Sequence, residues 1–132
     1  MAELPAAFDP SKILFVGLRN WERGEIKARQ HQYGIKHLTP EEVAADSDAL
    51  RAWLKSCGAS KVVVHFDMDV LDPAEIVAAV GTDPDGMKIE AVIRVINDIA
   101  AEKELVGLTV AEPMPRTAIR LRDMLGRLPL LE

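Results

Sequence analysis

Nowhere in the sequence does an apolar run approach the ~18 residues that a membrane-crossing helix requires, and the opening segment MAELPAAFDPSK has no basic stretch leading into an apolar core. The expectation is a cytoplasmic chain with no membrane partner. Cysteine is nearly absent: the lone Cys57 excludes an intramolecular disulfide framework, suits a reducing compartment and reads as a small buried hydrophobe. Basic clusters are absent as well, and the formal net charge is -5. Nucleic-acid binding depends on grouped Lys and Arg side chains that release counterions, so no nucleic-acid partner is expected. The composition favours a small or cationic one. Gly, Pro and Ser are not abundant enough for wholesale disorder, and no internal repeat or linker breaks the chain. A chain of 132 residues buries roughly two-thirds of its unfolded surface, which suffices for one core, so residues 1–132 read as a single domain.

Apolar, β-branched runs alternate with helical patterns along the chain, the signature of βαβ units feeding a parallel sheet with flanking helices. The runs are Lys12 to Leu18, Gly34 to Leu38, Lys61 to Phe66 and Leu105 to Val110. A polar stretch from Trp21 to Gln32 separates the first two. Thr39-Pro40-Glu41-Glu42 reads as a helix start, with Thr39 as N-cap, Pro40 at the first helical position and Glu42 able to close a capping box. The helix presents Val43, Leu50, Trp53, Leu54 and Cys57 on one side and stops at Gly58. Ile89, Val92, Ile93, Ile96 and Ala100 recur at spacings of three and four and predict a core-facing helix. A last helix is expected from about Arg116 to Leu125.

Acidic residues follow this layout. Arg19, Asn20, Glu22 and Glu25 come after the first strand, Asp67, Asp69 and Asp72 end the third, and Glu112 ends the fourth. In open parallel sheets ligands bind beyond the carboxyl ends of the strands, so these residues converge on one candidate edge. The strand period of two in HFDMDVLDP places Asp67 and Asp69 on the same side, within reach of one cation or a pair. Close like charges repel unless neutralised, although a solvated strand end tolerates two carboxylates, so the pattern admits both a metal site and a plain polar terminus. Carboxylates suit hard ions such as Mn²⁺ or Mg²⁺. An EF-hand loop counted from Asp67 would need Gly and Glu where Asp72 and Ala78 stand. A haloacid-dehalogenase-type phosphatase also opens on an apolar strand ending in DxD, but that motif lies near the N-terminus and needs a late acidic pair. This reading is kept as the weaker alternative. His65 shares the face of Asp67 if the strand runs straight, and is read either as a further ligand or as a packed core histidine. Arg19 is read as a partner of the acidic edge or as a surface ion pair.

FDMDVLDP resembles the ureohydrolase signature FDxDxxDP of the arginase and agmatinase family. The resemblance continues in order across nearly the whole chain. VGLRNWERGE is similar to the family's GLRD segment, GTDPDGM to its GTP-x-x-GG loop, and GLTVAEPMP to its strand ending in E-x-x-P. It implies a three-layer α/β fold, a site for two Mn²⁺ ions, and hydrolysis of a linear guanidinium or amidine such as arginine or agmatine. By position it implies metal-ligand roles for Asp67 and Asp69. It gives Glu112 the role of the acid facing the substrate guanidinium, and Glu22 that of an acid reading the substrate amino group. Asp72 shapes the loop. Asn20 stands where the family has Asp, and GTDPDGM lacks the double Gly, so the resemblance implies a substrate class without fixing the substrate.

The family also draws ligands from a Gly-Gly-Asp-His segment and a strand ending in Asp-Ala-His-x-Asp, and neither occurs here. The resemblance covers the second half of the family fold, and the isolated chain is expected to be inactive. A non-catalytic α/β self-association module is the alternative. In the implied sheet order, the first two strands are neighbours, the last two are neighbours, and a strand from the other half separates the pairs. A gap in mid-sheet predicts a homodimer or higher homo-oligomer.

Overall fold

The computed structural model describes residues 8–19, 24–77, 79, 81, 83–114 and 118–131. Strand β1 (Leu14–Val16) leads to helix α1 (Gly24–Gln32) and to strand β2 (Lys36–Leu38). Helix α2 (Asp48–Ser56), strand β3 (Lys61–Asp67), helix α3 (Ile89–Glu102), strand β4 (Glu104–Ala111) and helix α4 (Ala118–Leu125) follow. All pairing between named strands is parallel: β1 pairs with β2, β3 pairs with β4, and among the described residues the two pairs are not hydrogen-bonded to each other. This is the expected α/β class with flanking helices, divided where the resemblance placed a gap.

In β3 the inward residues Val62, Val64 and Phe66 pack on the core, whereas Val63 and His65 are exposed on the other face. The pairing slips between Val62 and Val63, which leaves Val106 of β4 as an extra residue with its side chain outward. On α3 the buried face is broader than the predicted stripe: Ala91, Val92, Ile93, Val95, Ile96 and Ile99 are all buried. They meet Leu50 and Leu54 of α2 and Leu121, Met124 and Leu128 near the C-terminus in one core. The half-buried Arg51 ties α2 to α3, its guanidinium 2.8 Å from Asp98 and 3.6 Å from Glu102.

Two local expectations are corrected. The Thr39–Glu42 box closes, with Thr39 N–H donating to Glu42 Oε2 at 2.8 Å and Glu42 N–H to Thr39 Oγ1 at 3.4 Å. It caps an isolated turn, because the helix begins nine residues after Thr39, at Asp48. The polar stretch from Trp21 to Gln32, to which no element was assigned, contains α1, an exposed helix in which only Gln30 is buried. Gly58, at φ +69°, ends the α2 segment as predicted.

Candidate metal and substrate site

Parallel register brings the acids together. Asp67 pairs with Ala111 across β3 and β4, so the residues just beyond those positions leave the sheet at one edge. Asp67 is the last residue of its strand and caps a single 3-10 turn, Met68–Val70, its Oδ1 accepting from Asp69 N–H at 3.4 Å. That turn carries Asp69 back toward the strand end. Across the edge, Glu112 follows β4 in the left-handed region at φ +56°, and its exposed side chain reaches the same place. One carboxylate oxygen from each of Asp67, Asp69 and Glu112 lies within 4.8 Å of the others. Among the described residues the group contains no histidine.

Burial and neighbouring acids both act on Asp69. Partial burial pushes its carboxyl pKa above the ordinary 3.8, the charge of Asp67 pushes it further, and Asp83 adds to the rise while Arg19 opposes it. Gly81 lies against this group, since a Cβ there would stand 3.2 Å from Asp69 Cβ. Three closely spaced carboxylates, one of them reluctant to ionise, form a donor set that fits a hard divalent cation.

The expectation that the strand pleat aligns Asp67 with Asp69 is corrected, because β3 ends at Asp67 and the turn achieves the convergence. His65 is neither in the carboxylate group nor in the core; it is exposed, and its Nδ1 shares a 2.7 Å hydrogen bond with Thr109 Oγ1 of the neighbouring strand. Asp72 serves its loop, with Oδ1 accepting from Ala74 N–H at 2.8 Å. Glu22 and Asn20 lie outside the described residues.

Sequence reasoning placed Arg19 against the acidic edge but took its partner to be a charge. Among the described residues its guanidinium makes no ion pair and instead donates to main-chain carbonyls: Asp69 O at 2.9 Å, Asp83 O at 3.0 Å, and Leu71 O and Pro84 O at 3.3 Å. Its place three residues after an apolar strand, level with an acidic edge, is the signal that was available.

Parallel strands, flanking helices and carboxylates beyond the strand ends place the chain among α/β proteins whose ligand crevice lies at that edge. Within that class it belongs to the arginase family, whose sequence model matches residues 2–124. It is 32% identical over 107 residues to the N(omega)-hydroxy-L-arginine amidinohydrolase of Streptomyces lavendulae, covering 81% of this chain and 36% of that protein. To the arginase of Eremothecium gossypii it is 27% identical over 130 residues, covering 89% of this chain and 31% of the other. Among solved structures, Entamoeba histolytica arginase superposes with a TM-score of 0.77 at 22% identity, over 94% of this chain and 45% of that one. The proclavaminate amidino hydrolase of Streptomyces clavuligerus gives 0.72 at 22% identity, over 90% and 42%. These structures share the fold. The chain spans about a third of the length of the two curated relatives.

Proposed function

We propose that this chain carries the carboxylate part of a manganese-dependent ureohydrolase centre for a linear guanidinium or amidine of the arginine or agmatine kind. The convergence of Asp67, Asp69 and Glu112 within 4.8 Å carries the reading. Asp67 and Asp69 are assigned as ligands and Glu112 as the acid that holds the substrate cation. A planar guanidinium offers paired N–H donors, and a carboxylate accepts them as charge-assisted hydrogen bonds that orient the carbon to be attacked. The cations, when bound, neutralise the acids and activate water at neutral pH. Glu22 is assigned to the substrate amino group by its position two residues after the GLRN segment.

The isolated chain is inactive in this reading, because an all-carboxylate set without the family's His and Asp donors holds its ions weakly. Calorimetric titration with Mn²⁺ tests it. Binding that disappears in Asp67→Ala, with no urea released from arginine or agmatine, is the expected result. Absence of binding supports the second reading, a self-associating α/β module, which the unjoined strand pairs favour. Urea release that Asp67→Ala abolishes would overturn the inactivity. In either case the chain is assigned to a homo-oligomer.

A further inference from the structure

We infer that Arg19 is a positioning residue that holds the Asp69 arm of the carboxylate cluster in place and locks the two strand pairs together at their carboxyl edge. The inference rests on reading the cluster as a cation site.

Four carbonyls from two loops face one guanidinium, and none of these bonds goes to a carboxylate. Asp69 and Leu71 belong to the segment after β3, and Asp83 and Pro84 to the loop before α3. A planar fork of five N–H donors can serve several carbonyls at once, which a lysine ammonium on a flexible stem cannot match. The seat is built closely. A Cβ on Gly86 would stand 2.5 Å from Arg19 Nη2 and 2.6 Å from both Asp72 N and Leu71 C, so only glycine leaves room for the side chain. Gly17, at φ +86°, presses the end of β1 on the same place, where a Cβ would meet Val70 Cγ2 at 2.3 Å and Met87 Sδ at 2.8 Å.

Behind the guanidinium, Leu71 and Met87 form a parallel bridge, with Asp72 N–H donating to Met87 O at 2.9 Å and Met87 N–H to Val70 O at 2.8 Å. The segment after β1 therefore reaches the segment after β3 through Gly17 and Arg19, where the described residues of the two sheets share no ladder bond. Removing the guanidinium frees the carbonyl of Asp69, and the carboxylate on that residue loses its fixed distance from Asp67 and Glu112.

The test compares Arg19→Ala and Arg19→Lys with Arg94→Ala. Arg94 is the control because its guanidinium also binds loop carbonyls, those of Val43, Ala44 and Asp46, away from the cluster. Mn²⁺ affinity is measured by calorimetry and loop order by amide hydrogen exchange at Asp72 and Met87. Arg19→Ala is expected to weaken Mn²⁺ binding about tenfold or more, the effect typical of groups that orient metal ligands. Arg19→Lys recovers only part of the loss, added guanidinium ion restores binding to Arg19→Ala, and Arg94→Ala binds as the parent does. Parent affinity in Arg19→Ala, or an equal loss in Arg94→Ala, overturns the inference. If the parent takes up no Mn²⁺, the ureohydrolase reading fails and exchange decides the role of Arg19. Faster exchange at Asp72 and Met87 in both Arg19 variants, with α3 still protected, upholds the clamp; unchanged exchange refutes it.

Discussion

At Glu112 the chain enters the left-handed region, φ +56°, which for a residue with a Cβ costs about 1–2 kcal/mol. Backbone strain at a strand end that also carries a site carboxylate has a direct test. Glu112→Gly is expected to be more stable than Glu112→Ala by about 1 kcal/mol, because glycine alone adopts this angle freely and neither variant keeps the carboxylate. Urea denaturation midpoints measure it, and an alanine variant as stable as the glycine one would show that the angle is not adopted. Asp69 gives a pH test. Its carboxyl pKa is raised above 3.8 in the folded chain, first by burial and then by Asp67, so the folded state holds the proton more tightly than the unfolded one. Its contribution to stability is therefore present below 3.8 and lost as pH rises from there through the higher folded value. Comparing denaturation of metal-free parent and Asp69→Asn across that window should show a fall confined to the parent. The DxD spacing made the pair legible in the sequence. The clamp on Arg19 was not, because its partners are carbonyl groups, which every residue carries.

Elements with an uninterrupted period were the readable ones. β3, β4 and α3 emerge from alternating or helically spaced apolar residues, and their ends fall within a few positions of expectation. Helix α1 was hidden because its sequence GEIKARQHQ has almost no apolar stripe, and it buries only Gln30. The capping box at Thr39 was read correctly as chemistry and wrongly as the start of a long helix: reciprocal bonds of this kind stabilise any turn, and the chain leaves that one before Asp48. The turn that converges Asp67 with Asp69 had no signal beyond Asp67 itself. The link between α2 and α3 is legible only in three dimensions. Arg51→Ala is expected to cost about 1 kcal/mol, since its 2.8 Å bond to Asp98 is partly screened from solvent. A double-mutant cycle with Asp98→Ala checks it: the combined loss should fall short of the sum of the single losses.

For the whole molecule, division into two strand pairs leaves unjoined ladder edges beside apolar side chains. Val63 is 64% exposed and Val106 49% exposed, both on the outer side of the β3–β4 pair. Free N–H and C=O groups along a strand template further pairing, and exposed β-branched residues next to them favour it. A second copy of the chain offers the same kind of edge, and closed two-fold pairs are the commonest way to satisfy such edges symmetrically. Sedimentation at micromolar concentration should therefore show a dimer or a larger closed assembly. A charge placed on the outer face disfavours strand addition and strips apolar area from any contact there, so Val63→Lys is expected to shift the distribution toward monomer with the fold retained by circular dichroism. A single monodisperse monomer in the parent chain would refute the association, and an oligomer that Val63→Lys leaves untouched would place the interface on another face.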